Sequence, residues 1–140
     1  MSSYDMSILD TSTIEYSILY FNLLTYITFL KGGYMDEKTK KKYCPMTETT
    51  FYTLLALLTP NHGYGIIKFI KNLTDERVKM GTGTLYTMLG RLVDDEMIEI
   101  VSEDDGKKTY RITQIGINLL KDEQKRLKKQ CENGERILGK

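Results

Sequence analysis

Residues 81–113 read GTGTLYTMLGRLVDDEMIEIVSEDDGKKTYRIT, and the spacing of their apolar residues changes along the stretch. Leu85, Met88, Leu89 and Leu92 fall on one side of a helix that opens at Gly81-Thr82-Gly83-Thr84 and fades near Asp94-Asp95. Ile98–Val101 and Lys108–Ile112 then read as two strands around Glu103-Asp104-Asp105-Gly106, whose Asp-Gly pair signals a hairpin. Thr113 caps a last helix that reaches to about Gly134 or beyond.

Upstream, Pro45 and Thr47 mark another helix start, with Thr47 as cap and Glu48 in the favourable first turn. Phe51, Leu54, Leu55 and Leu58 give it an apolar stripe, and Thr59-Pro60-Asn61-His62-Gly63 breaks it. A short helix over Tyr64–Asn72 buries Ile66 or Ile67, Phe69 or Ile70, and Leu73. Asp75–Met80 is a polar connection, with Val78 as a short strand. The order is helix, helix, helix, hairpin, long helix. The expected fold is therefore mainly α with a small β-hairpin, a winged helix-turn-helix plus a C-terminal dimerisation helix. Residues 1–34 form an apolar N-terminal extension, 35–113 the winged domain with a charged arm (MDEKTKKKY), and 114–140 the dimerisation helix.

The chain has 140 residues, enough for one domain and an appendage, and a net charge of only +1. Asp5, Asp10, Glu15 and Lys31 leave residues 1–34 at −2, so the remainder carries +3. A polyanion must therefore be met by a local patch. Cys44, Cys131 and the single His62 exclude a disulfide framework and a CxxC-type zinc site, and leave little for Cys-His or Ser-His catalysis. No enzyme, cofactor or metal is expected. Two free thiols suit a reducing, cytoplasmic setting. The Gly81-x-Gly83 pair lacks a following Gly-Lys-Ser/Thr and reads as a helix cap.

The face of the third helix opposite Leu85 holds Gly83, Tyr86, Thr87, Gly90, Arg91 and Asp94. Two glycines there cost roughly 1 kcal/mol each relative to Ala, and they let another backbone approach closely. Tyr, Thr and Arg around them are groups able to reach phosphates and base edges. Periodicity alone supports a plain solvated face equally well.

His62-Gly63-Tyr64-Gly65, then Gly83-Thr84-Leu85-Tyr86 with Leu89, Leu92 and Ile98, then Lys107-Lys108-Thr109-Tyr110-Arg111-Ile112-Thr113 and Gly116, resemble the PadR family of bacterial transcriptional regulators. The resemblance covers about Met46–Leu120 in order. It implies a dimeric winged-helix repressor on a two-fold operator, modulated by a small aromatic effector. It places Tyr64, Thr84, Tyr86, Lys107, Lys108 and Tyr110 towards double-stranded DNA, to which the helix face adds Thr87 and Arg91. Glu96-Met97 departs from a glycine usual in the family, a small change in turn geometry. The acidic tip Glu103-Asp104-Asp105 would repel phosphates, so wing contact falls to Lys107 and Lys108. A single C-terminal helix resembles the short subfamily.

That helix spaces Ile117, Leu120, Gln124, Leu127, Cys131, Gly134 and Leu138 at alternating threes and fours, a seam suited to a homodimer. Packing within the chain is the bland alternative. A two-fold protein sets its recognition helices about 34 Å apart, one turn of B-DNA. His62 reads as a turn residue whose imidazole bonds backbone near the second helix, and Cys131 as a small hydrophobe.

Ile14–Leu30 is the most apolar stretch, interrupted by Glu15, Ser17, Asn22, Thr25 and Thr28 and slightly short for a membrane span. It reads as a spanning helix that would tether a regulator, as a helix packed on the domain, or as translated leader; the acidic residues before it disfavour a signal peptide. Lys31-Gly32-Gly33-Tyr34-Met35 is encodable as AAA GGA GGN TAY ATG, a ribosome-binding sequence before a start codon, which would make Met35 the native start. The rival to DNA binding is a winged-helix protein-interaction module, favoured by the low net charge and the acidic wing tip.

Overall fold

The computed structural model describes residues 11–33 and 35–139. It divides into two units at Tyr34/Met35. In the first, helix α1 spans Thr11–Gly33. Among the described residues no helix is long and apolar enough to cross a membrane, and that includes α1, on which the spanning-helix reading of residues 14–30 falls.

The second unit runs α2 (Glu37–Tyr43), α3 (Glu48–Ala56), β1 (Asn61–His62), α4 (Gly63–Leu73), α5 (Thr82–Asp94), β2 (Ile98–Asp104), β3 (Lys107–Ile112) and α6 (Gln114–Leu138). The capping residues fix where these helices begin. Thr47 accepts from the Thr50 N–H at 3.3 Å, His62 Nδ1 from the Gly65 N–H at 3.2 Å, and Thr113 from the Gly116 N–H at 3.2 Å. Each satisfies one of the amides a helix start leaves without a partner. His62 is thus the backbone-bonding turn residue expected of it.

The core is Leu54, Leu57, Ile66, Ile70, Leu85, Leu89, Leu92, Met97 and Ile98, all at most 2% exposed. Each fully buried aliphatic of this size contributes about 1.5–3 kcal/mol. The expected stripe of α5 is buried as a set: Leu85, Met88, Leu89 and Leu92. Helix α4 buries Ile66 and Ile70, leaving Phe69 and Leu73 exposed. Helix α3 is rotated from the expected stripe, since Thr50, Thr53, Leu54 and Ala56 face inwards and Leu58 is exposed. The threonines are tolerated inside because Thr53 donates to the Thr49 carbonyl at 2.8 Å and Thr50 bonds Thr47 at 2.8 Å.

The wing is a three-stranded antiparallel sheet in the order β1-β3-β2. Its turn residues Asp105 and Gly106 have φ of 48° and 74°, the geometry a two-residue hairpin loop requires. Asn61 and His62 pair with Tyr110 and Thr109, so the expected helix break also supplies a third strand. In β2 the register shifts between Ile100 and Ser102, so Val101 is an extra residue that bends the strand. No strand forms at Val78, whose buried side chain and N–H bond to Thr74 Oγ1 anchor an irregular turn.

Helix α5 ends with the Glu96 N–H on the Val93 carbonyl and the Met97 N–H on the Leu92 carbonyl, at 3.0 and 2.9 Å. This ending calls for a left-handed residue between them. Glu96 supplies it at φ 57°. At the place of the family's usual glycine, Glu96 thus holds a left-handed conformation with a side chain present.

Candidate nucleic-acid interface

Helices α4 and α5 and the wing converge on one surface. Along α5, Thr84, Tyr86, Thr87, Gly90, Arg91 and Asp94 are exposed, opposite the four buried apolar residues. No heavy atom lies within 4 Å of where a Cβ on Gly83 or Gly90 would stand, so the backbone is open there. The Thr87 hydroxyl donates to the Gly83 carbonyl at 2.9 Å, which holds its rotamer and leaves its oxygen free to accept. Tyr64, 73% exposed, projects from the second residue of α4.

Tyr86 is 55% exposed but not free to swing. Its ring lies against the backbone of Gly63, where an added Cβ would meet the phenolic oxygen at 2.6 Å. Gly65 is closed off similarly, since a Cβ there would stand 1.9 Å from Asn61 Oδ1. The two glycines of His62-Gly63-Tyr64-Gly65 therefore have separate reasons: one admits the tyrosine of α5, the other the side chain that begins β1.

Between α5 and the wing lies an open cleft of about 420 Å³, lined by Tyr86, Gly90, Asp94, Ile100, Lys107 and Lys108, with Tyr110 beneath. Lys107 and Lys108 stand across the hairpin from Asp104 and Glu103. Among the described residues no carboxylate lies within ion-pair distance of either lysine or of Arg91, whereas Arg111 is taken up by Glu99 at 2.6 Å. A second cleft, about 290 Å³, flanks α5 on the side of α3 and is lined by Lys42, Thr47, Thr49, Thr84 and Arg91 among others. Lys42 is paired there with Asp95 at 2.6 Å.

Tyr110 differs from expectation. Strand alternation turns it inwards with Ile112, and it is 6% exposed. Burial, with Tyr86 and Glu103 nearby, raises its phenol above the ordinary value of 10.0. It forms the floor of the cleft and does not project from the wing as expected.

Helix α6 divides the residues of the expected seam. Leu120 is 6% exposed, Ile117 packs against the same core, and both belong to the chain's own interior. Gln124, Leu127, Cys131 and Leu138 are exposed, as is Ile137, which the heptad reading passed over. The reading also missed Glu123. It is 1% exposed, and its carboxylate accepts from Arg126 at 2.7 and 2.8 Å. Its signal was its place on the line of Gly116, Leu119 and Leu120, the inward face of α6. Among the described residues no three His, Cys, Asp or Glu side chains cluster to hold a metal ion.

The family model described as "Transcriptional regulator PadR-like family" matches residues 53–122, from α3 into α6. "Transcriptional regulator YqjI" of Escherichia coli (strain K12) is 36% identical over 62 residues, 44% of this chain, and the match spans only 30% of the relative's length. Among solved structures, a PadR family transcriptional regulator from Eggerthella lenta DSM 2243 aligns over 87% of this chain and 97% of its own, with a TM-score of 0.55 and 18% identity. That likeness concerns the fold, the same winged helix with a long C-terminal helix. With half of its length inside the family model, this chain belongs to the PadR-like family of transcriptional regulators.

Proposed function

We propose that the protein is a cytoplasmic, homodimeric repressor that binds a two-fold DNA operator through α5 and the wing. The observation that carries the reading is the surface of α5. A glycine-opened helix face bearing Tyr86, Thr87 and Arg91 lies beside two wing lysines that have no carboxylate partner among the described residues. In this reading Thr84, Tyr86, Thr87 and Arg91 enter the major groove. Tyr64, Lys107 and Lys108 hold backbone phosphates, which position the helix without reading sequence. The exposed half of α6, with Gln124, Leu127, Cys131 and Leu138, joins the two copies. A small aromatic effector, which the family resemblance implies, shifts the angle between the reading heads, to which binding at two half-sites is sensitive.

Fluorescence anisotropy of the full chain on DNA from upstream of its own gene, with a scrambled duplex alongside, tests the reading. The expected result is binding that favours the upstream duplex and falls steeply with salt. Equal and weak binding to both, with other promoter fragments behaving alike, would favour a protein-interaction module. The exposed acids Glu103, Asp104 and Asp105 at the wing tip are what speak for that alternative.

A further inference from the structure

The cleft between α5 and the wing is opened by a missing side chain. Tyr86, Gly90 and Asp94 stand four residues apart, one above another on a single row of α5. At Gly90 nothing lies within 4 Å of where a Cβ would stand, so the row is interrupted at its middle and the cleft of about 420 Å³ opens there. The facing wall is the sheet, where Ile100 stands across from Tyr110. Tyr86 and Ile100 are both exposed, which leaves a ring and an aliphatic side chain bare to an occupant. The floor holds an unused polar group. Tyr110 is 6% exposed, and its phenolic oxygen makes no hydrogen bond among the described residues. No side-chain oxygen sealed from solvent lacks a partner there, so the Tyr110 oxygen opens onto the cleft that it floors. A nearly buried phenol without a partner is uncommon in a folded chain. Lys107, Lys108 and Asp94 complete the lining, and among the described residues none of the three makes an ion pair.

Two neighbouring ammonium groups suit a phosphate, a bare ring face suits a heteroaromatic base, and a carboxylate suits the paired hydroxyls of a ribose. Asp94 discriminates among anions: it repels a simple aromatic acid and accepts from a sugar diol. We propose that the cleft between α5 and the wing binds a nucleoside monophosphate. The base lies between Tyr86 and Ile100, the phosphate on Lys107 and Lys108, and the ribose on Asp94. The Tyr110 phenol bonds the base from below. The volume is that of an ordinary small-molecule site, apolar walls with a few convergent polar groups. The consequence rests on the DNA-binding reading: Tyr86, Lys107 and Lys108 serve both ligands, so nucleotide and operator exclude one another.

The full chain with isotope-labelled tyrosine rings is titrated with AMP, GMP, CMP and UMP in turn and read by NMR. At least one nucleotide shifts the Tyr86 and Tyr110 resonances with a Kd below about 1 mM. Ribose phosphate, which lacks the base, and naphthoate, an aromatic acid without a diol, bind at least about tenfold more weakly. Gly90→Leu fills the cleft and abolishes the shifts, and leucine favours the helix over glycine, so the fold is kept. Tyr110→Phe keeps the ring, removes the oxygen and weakens binding about fivefold, read at Tyr86. Tyrosine resonances that no nucleotide moves, naphthoate binding as well as the nucleotide, or shifts that survive in Gly90→Leu would each overturn the site. None of these measurements involves DNA, so the site and the DNA-binding reading fail separately. In the anisotropy assay the same nucleotide displaces the upstream duplex at concentrations near its own Kd. A duplex that stays bound at saturating nucleotide would overturn the exclusion.

Discussion

The phenol of Tyr86 on the recognition helix rests on the backbone of Gly63 at the start of α4, with room for a hydrogen there and none for a methyl. Helix and turn are thereby fitted to one another on the surface assigned to DNA. Gly63→Ala must push the tyrosine ring aside, since a Cβ would meet its oxygen at 2.6 Å. Alanine is the better helix former by roughly 1 kcal/mol, so the melting temperature should change little. Operator affinity should fall about tenfold as the ring loses its place. Anisotropy beside a thermal melt separates the two effects, and an unchanged affinity would mean that Tyr86 does not need this position to read DNA.

Glu96 is a case of a residue working against its backbone. Its φ of 57° closes the end of α5, and a side chain costs about 1 kcal/mol in that region. Glu96→Gly should raise stability by about that amount in urea titration, with the slope of the transition unchanged. A loss of stability would show that the glutamate side chain contributes something the backbone geometry does not reveal.

What the sequence disclosed, and what it concealed, follows the range of the forces involved. Thr47, His62 and Thr113 were legible as caps or turn residues because a cap bonds amides two or three residues away. The α5 stripe and the Asp105-Gly106 turn were legible for the same reason. Strand β1 was not, because Asn61 and His62 become a strand only by pairing with residues 47 or more positions distant. The face of α3 is hidden from an apolar pattern because Thr50 and Thr53 satisfy their hydroxyls on the cap and the helix itself and so pack as small apolar groups. The family pattern points Tyr110 outwards, whereas its alternation with Ile112 puts both on the buried side of β3. Ile117 and Leu120 show the same limit on α6: a heptad identifies a seam but not which partner fills it.

The wing lysines and Arg91 should separate by what they touch. Lys107→Ala with Lys108→Ala removes two cations that lack ion-pair partners among the described residues, and should weaken all DNA sequences alike. It should also reduce the salt slope of log K by about 2. Arg91→Ala should weaken the operator more than a scrambled duplex, by about 1–3 kcal/mol of discrimination if the guanidinium reaches a base edge. If the double lysine variant keeps the full salt slope, the wing is not near phosphates.

Glu123 should make the protein sensitive to acid in a definite direction. The Arg126 guanidinium, helped by the Met46 N–H against the cost of burial, holds its carboxyl below the ordinary 4.5. A group depressed on folding stabilises fully above its unfolded-state value and loses that contribution as pH falls through the folded-state value. The advantage of the wild-type chain over Glu123→Gln should therefore be constant from neutrality down to about pH 5 and shrink below it. Asp95, also lowered, titrates in the same window and in the same sense, and is unaltered in both proteins. Urea unfolding at stepped pH reads the difference directly. A gap that persists at pH values low enough to protonate Glu123 would assign its role to shape rather than charge.

Leu127 and Leu138 decide between a seam and a bare helix end. Beyond Arg126 the large apolar side chains of α6 are exposed: Leu127 is 38% exposed, Ile137 77% and Leu138 86%. Three large apolar side chains held in water on one long helix are costly unless a second surface covers them, and a second copy presents the same residues in self-complementary form. Leu127→Asp with Leu138→Asp should leave the winged domain folded, since neither side chain lies in its core, and should give monomers in analytical ultracentrifugation. Two monomers bind separated half-sites without the advantage of linkage, so operator affinity should fall by about a hundredfold or more, while affinity for one half-site stays as it was. A variant that still sediments as a dimer would move the contact between copies off this half of α6.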